Sequence, residues 1–296
     1  MAVTLTGAQY AQRGDISVGK PLTNVVSGKE FTLSLWIKAE DGGGGVIFIG
    51  GNSIAPRIQL TQSIASGTYS IEVRNISNGT IWQARTATAY DDGEWHNVLI
   101  SADLSTTTGH LLVDGISDEV TIVAPIDGTI PWTNCTELLF GAFFGGAPTR
   151  LTGMVESFWF ATEYIDVSVE ANRRLFYGTD GTQVGLGHQG RRPLDGRQPE
   201  IFLGHGPGNF GRNEGSGGDF DLVGSFGFDR GRPAPVNSLS RGFRGERWRE
   251  SERSGIPFSE SELMLEPASG LEVARREFST DRDEINRNRR RRAFPE

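Results

Sequence analysis

A single cysteine, Cys135, excludes a disulfide within the chain, so stability must come from packing. Lysine is almost missing as well: Lys20, Lys29 and Lys38 are the whole set, and every later basic residue is arginine. No run approaches about 18 consecutive apolar residues, so no helix is expected to cross a membrane. The opening residues, Met1 to Gly7, have no basic stretch leading into an apolar one and do not read as a signal peptide. The Asn-x-Ser/Thr sequons at Asn75, Asn78 and Asn134 then read as chance in a sequence rich in Ser, Thr and Asn. Histidines 96, 110, 188 and 205 lack ligand spacing and cysteine company, which argues against zinc.

Charge is unevenly spread. Residues 1–190 hold 10 Lys+Arg against 19 Asp+Glu, and residues 191–296 hold 19 against 18. The first region is therefore acidic, at −9, and the second is near neutral, at +1. That asymmetry marks at least two surfaces, and an acidic face disfavours nucleic acid, whose phosphates need a basic one.

What is present is mostly strand signal. Phe31, Leu33, Leu35, Ile37 and Ala39 alternate with Thr32, Ser34, Trp36 and Lys38, which predicts a half-buried strand. Val3 to Tyr10 reads as an outer strand. Val46–Ile49, Ile58–Thr61, Thr68–Asn75 and Thr80–Thr88 read as further strands between Gly, Ser and Asn turns. Trp95 to Ala102 and His110 to Val113 form a hairpin about the polar stretch Asp103–Gly109, and Asp114-Gly115 is a tight turn needing positive φ. Residues 121–124, 137–144 and 151–162 continue the pattern. About ten short strands without helical periodicity predict an all-β antiparallel sandwich. One helix is expected between Asp166 and Gly178, with Asp166 or Ser168 as its cap.

Phe31-Thr-Leu-Ser-Leu-Trp36, Trp95-His96 and Leu112-Val-Asp-Gly115 resemble the core strands of the laminin G-like, or concanavalin A-like, jelly rolls over residues 1–178. Asp166 to Phe176, Pro199-Glu-Ile-Phe202 and Asn213-Glu-Gly-Ser-Gly-Gly-Asp-Phe220 resemble a continuation found in tailed-phage virion proteins that carry this domain. The implied organisation is a jelly roll at 1–178, a Gly/Pro-rich β elaboration packed on it at 179–235, and a charged extended arm at 236–296. Short apolar content keeps the arm from folding alone. Leu271, Ala274, Arg275 and Phe278 could share one face of a two-turn helix, too short to stand unsupported.

The resemblance implies a non-enzymatic virion structural protein, either a capsid decoration or a tail or fibre component. Its partners would be other virion subunits, with homo-oligomerisation. A carbohydrate-binding adhesin for host surface polysaccharide is the alternative. Glycosidases of this fold need paired carboxylates, and Glu156 has no second carboxylate at i+2 or i+4. Gly185-Leu-Gly-His-Gln-Gly190 matches a dinucleotide glycine pattern but leads into Arg-Arg-Pro and reads as a turn. Trp82, Tyr90 and Trp132 lie near loops and are the candidate sugar-stacking rings, although core packing is the favoured reading of each. Trp36 and Trp159 point away from their apolar neighbours, towards the other sheet face or residues 179–235. No cofactor is expected, with calcium left open at Asp91, Asp92, Asp114 and Asp118. In the arm, Phe243, Trp248, Phe258, Leu271, Phe278 and the basic Arg289, Arg290, Arg291 and Arg292 are the candidate anchoring residues. Acidic neighbours of that basic run disfavour nucleic acid.

Overall fold

The computed structural model describes residues 2–7, 9–13, 27–39, 43–51, 57–130, 132, 137–143, 151–204 and 209–229, and four short strands beyond residue 247. It divides into two compact units, Met1–Asn237 and Ser238–Glu296. In chain order the first unit begins with β1 (Ala2–Thr6), β2 (Tyr10–Arg13), β3 (Glu30–Lys38), β4 (Gly45–Gly51), β5 (Arg57–Gln62) and β6 (Tyr69–Arg74). There follow β7 (Thr80–Thr86), β8 (Trp95–Asp103), β9 (Thr108–Val113), β10 (Ile116–Ser117), β11 (Glu119–Val123), β12 (Glu137–Phe140) and β13 (Thr152–Ala161). A one-turn helix α1 (Glu170–Arg173) precedes β14 (Ile201–Leu203), β15 (Asp221–Val223) and β16 (Gly227–Asp229).

These strands make a sandwich of two antiparallel sheets. The first sheet runs β10-β9-β8-β3-β13-β1-β16, with β14 also paired to β13. The second runs β11-β7-β6-β5-β4-β12-β2-β15. The expected outer strand at Val3–Tyr10 is two strands, because Gly7, at φ 76°, turns the chain from the first sheet into the second. Likewise β15 pairs with β2 and β16 with β1, so residues 221–229 complete both sheets.

The core between the sheets is aromatic. Phe48 meets Phe158 and Phe160 with centroids 5.0 and 5.7 Å away, and Phe140 packs on Phe158 and Phe210. Such pairs each contribute about 0.5–1.5 kcal/mol beyond the area they bury. In the hairpin β8–β9, Gly109 leaves room for Trp82, whose ring would lie 2.7 Å from a Cβ there. Asp114 and Gly115 both have positive φ, 52° and 73°, as the turn between β9 and β10 requires.

The expectation for β3 needs correcting. Thr32, Ser34 and Trp36 are buried along with the apolar set, so this strand is covered on both faces. The cover is the chain from 162 to 204. Trp159 makes a T-shaped contact with Phe176 and donates its indole N–H to the Gly190 carbonyl at 2.8 Å, within a cluster that includes Leu99, Leu112, Leu186, Leu194 and Phe202. Trp36 stacks on Tyr177. Both tryptophans therefore line the second face of the first sheet, as their alternation suggested. The glycine-rich 185–190 segment is a turn, with Gly187 and Gly190 at positive φ.

The helix is also shorter than expected. Asp166 accepts from the Ser168 amide and hydroxyl instead of capping a long helix, and α1 starts after Val169 with no side-chain cap. An aspartate that bonds its backbone two residues on competes with helix propagation.

The second unit contributes β17 (Trp248–Glu250) paired with β18 (Pro257–Ser259), and β19 (Leu263–Leu265) paired with β20 (Glu272–Ala274). Ala274 lies opposite Leu263 in a strand, not on the helix face expected for Leu271–Phe278.

Candidate functional site

The outer face of β5, β6 and β7 carries polar residues by simple alternation. Ile58, Leu60, Tyr69, Ile71 and Val73 point into the core, which turns Arg57, Gln59, Thr61, Ser70, Glu72 and Arg74 outward. Pairing then sets three cross-strand rows: Arg57–Arg74–Thr80, Gln59–Glu72–Gln83 and Thr61–Ser70–Arg85.

Arg57 directly opposite Arg74 would be repulsive by itself. Glu72, at the centre of the grid, offsets that repulsion by accepting from Arg57 at 2.8 Å and from Arg74 at 2.7 Å. Burial pushes the Glu72 carboxyl up, yet the hydrogen bonds from Arg74 and Arg57 win and hold it below its ordinary value. A general acid needs the opposite shift, so Glu72 is not tuned to donate a proton. Arg57 Nε, Arg74 Nε and Gln59 Oε1 are buried without a hydrogen-bond partner among the described residues. Three arginines against one glutamate make the grid locally positive within an acidic region. Neither composition nor periodicity exposed this grid, because the rows arise only from the register between strands.

A second polar cluster sits where the β5–β6, β7–β8 and β9–β10 connections meet. His96 is nearly buried, with Nδ1 2.7 Å from Asp114 and Nε2 3.0 Å from Asp92. Burial disfavours the imidazolium, but the bonds to Asp114 and Asp92 outweigh it and raise the His96 pKa. Asp114 also accepts from the Asn97 amide, which ties the turn to the start of β8. With both ring nitrogens engaged, His96 staples the fold and has no face left for a substrate.

The sequence candidates fall into three groups. Trp82 and Trp132 are 0% and 2% exposed and belong to the core, so neither ring is open to a sugar. Their indole bodies fill the space between the sheets, Trp82 against Phe31 and Trp132 against Phe160. Tyr90 is half-buried; it stacks on Tyr69, meets His96 edge-on and donates its hydroxyl to Asp118 at 2.9 Å. Burial, then Asp118, pushes its hydroxyl pKa up. In the second unit, Trp248 pairs with Ser259 and Phe258 with Arg249. Phe243, Leu271, Phe278, Arg289, Arg290, Arg291 and Arg292 lie outside the described residues.

Of the calcium candidates, Asp92, Asp114 and Asp118 already accept protein hydrogen bonds, the last from Thr88 and Tyr90. The described residues hold no group of three or more Asp, Glu, His or Cys placed for a metal. Glu156 lies on β13 opposite Trp36, beside a bulge, away from the polar grid.

The 199–220 segment is held together by one asparagine. Asn213 accepts from the Phe202 and Gly215 amides and donates to the Glu200 and Gly218 carbonyls, while its own amide is held by Asp219. A Cβ at Gly215 would sit 2.6 Å from the Glu200 carbonyl oxygen, which explains the glycine.

A family model described as the concanavalin A-like lectin/glucanases superfamily matches residues 8–163, more than half of the chain. No curated protein sequence matches. Among solved structures, the heptameric SAP-like pentraxin of Limulus polyphemus is similar at 12% identity and a TM-score of 0.41, covering 56% of this chain and 77% of that one. Domains LG4-5 of the mouse laminin alpha1 chain give 15% and 0.41, covering 57% of this chain and 44% of that one. The CBM40 of the Ruminococcus gnavus IT-sialidase, bound to alpha2,3 sialyllactose, gives 14% and 0.42, covering 56% and 92%. These likenesses are distant and extend to no function.

Proposed function

The chain belongs to the concanavalin A-like lectin/glucanases superfamily, and from that premise we propose that it is a non-enzymatic virion structural protein. It serves as a capsid decoration or a tail or fibre component, displays the lectin-like sandwich and is anchored through residues 236–296. The observation that carries this reading is the segment 166–220. Its residues resemble the continuation of tailed-phage virion proteins, and they supply the cover of the first sheet and the Asn213 staple. The arm fits an anchor, since a lone two-stranded ribbon is marginal in water and gains order on binding. Deleting residues 236–296 is expected to leave a folded sandwich that fails to enter particles; normal incorporation of the truncated chain would refute the anchoring.

A second reading, a carbohydrate-binding adhesin for host surface glycans, is favoured by the polar grid on β5–β7. Guanidinium, amide and hydroxyl groups on one rigid face suit sugar hydroxyls and carboxylates. A glycan array run with and without calcium tests it. Binding that disappears in Arg57→Ala and Gln83→Ala supports this reading, and a blank array in both conditions rejects it.

A further inference from the structure

The grid on β5–β7 carries its positive charge in two separate rows. Arg57 and Arg74 lie side by side in one end row, and Arg85 closes the other beside Ser70 and Thr61. Between them the middle row, Gln59–Glu72–Gln83, offers two amides and the carboxylate. Side chains on one face of a strand repeat every two residues, about 7 Å, so the two cationic rows stand about 14 Å apart.

The two ends are built differently. At one, Glu72 uses both carboxylate oxygens, Oε2 on Arg57 and Oε1 on Arg74, and Arg74 also donates to the Asn78 side-chain oxygen at 2.9 Å. These bonds hold two guanidinium groups in place before any ligand arrives, which lowers the ordering cost of binding. At the other, Arg85 is exposed, and its guanidinium has no hydrogen-bond or ion-pair partner among the described residues. Glu119, next to the Val120 that faces Arg85 across the ladder, is engaged by the Leu111 amide and the Thr121 hydroxyl. Glu72 repels an anion placed over the middle row, so negative charge is accepted at the ends and neutral groups between them.

Resting on the adhesin reading above, we propose that this face takes an acidic oligosaccharide carrying anionic groups on at least two of its sugars. One anionic group is held at Arg85 and another at the Arg57–Arg74 pair. Guanidinium groups match carboxylate and sulfate oxygens with paired donors. Gln83, which both donates and accepts, contacts the hydroxyls between. A monosaccharide engages one end alone, because the span is about 14 Å. The region around the grid, at −9 over residues 1–190, repels a densely charged polyanion such as nucleic acid, whereas widely spaced charges escape most of that repulsion.

A glycan array probed with the full chain at low salt tests this, with uronate, sialylated, sulfated and neutral oligosaccharides and a single-stranded oligonucleotide as its spots. Binding is expected only to glycans with two or more acidic sugars, and the uronate and sulfated spots identify the anion taken. In isothermal titration with the best binder, Arg85→Gln is expected to weaken affinity about tenfold, the loss of one charge-assisted contact. Raising the salt to about 0.5 M is expected to weaken it as well. Arg74→Gln, at the other end, should match Arg85→Gln, with thermal melts verifying that each variant is folded. Arg85→Gln, at an exposed and unpaired side chain, decides the matter if Arg74→Gln does not fold. Arg191→Gln, at an exposed arginine in the cover over the first sheet, leaves affinity unchanged. Neutral or singly charged glycans that bind equally well overturn the inference and leave the adhesin reading standing. So does an affinity unmoved by Arg85→Gln, or an oligonucleotide that binds as tightly. A blank array rejects both.

Discussion

The two sheets of the sandwich have similar inner faces and very different outer ones. Both inner faces are apolar and meet through interlocking phenylalanines. The outer face of the first sheet lies beneath the chain from 162 to 204, where Trp36 and Trp159 are almost wholly buried and even Thr32 finds partners in the Glu163 carbonyl and the Ile165 amide. The outer face of the second sheet, along β5–β7, instead carries the Arg57–Glu72–Arg74 grid at intermediate exposure. Alternation along a strand determines which residues share a face. What lies over that face decides whether they act as core or as surface.

That contrast can be tested from its strongest consequence downward. Trp159→Ala removes a ring packed on Phe176 and leaves the Gly190 carbonyl without its donor. It should destabilise the sandwich by about 3–5 kcal/mol in urea unfolding. A loss below about 1 kcal/mol would mean that the cover over the first sheet is dispensable.

Glu72→Ala strips the second sheet of the carboxylate between two opposed arginines. Both partners are partly hydrated, so the expected loss is about 1–2 kcal/mol, less than in the covered sheet. The Glu72 carboxyl is held below its ordinary value near 4.5, so its contribution is present above that pH and fades as pH falls through the lower folded value. Unfolding curves between pH 6 and about pH 3 should therefore converge for wild type and Glu72→Ala.

His96 behaves in the reverse sense. Its folded pKa is raised above the ordinary value near 6.5, so its stabilisation is complete below that pH and is lost as pH rises through the folded value. His96→Gln should remove that decline at a loss of about 1 kcal/mol near pH 6. An unchanged pH profile in the variant would show that the Asp92–His96–Asp114 staple carries no charge.

The smallest effect belongs to Gln83→Ala, at the solvent side of the grid, expected within about 0.5 kcal/mol of wild type in urea. A larger loss would show that this face too is part of the packed structure.

Much of the fold was legible in the chain. The strand begun at Phe31, the Trp95–Val113 hairpin and the Asp114-Gly115 turn are local patterns with local causes and stand where they were expected, although that strand is buried on both faces rather than one. The candidate site was not legible. Arg57, Glu72 and Gln83 are 15 and 11 residues apart, and nothing in their own neighbourhoods says that they share adjoining rows. Trp82 and Trp132 are core residues, the favoured reading of each, and nearness to a loop says little about exposure when a glycine such as Gly109 lets the Trp82 ring reach inward.

Strand periodicity, glycine turns and the charge division between the two halves are properties of the sequence alone, because they rest on backbone sterics and composition. Which face was sealed and which arginines opposed each other were decided by tertiary structure. Those outcomes depend on pairing between distant segments, and a strand carries its pattern of faces but not the identity of what will cover them.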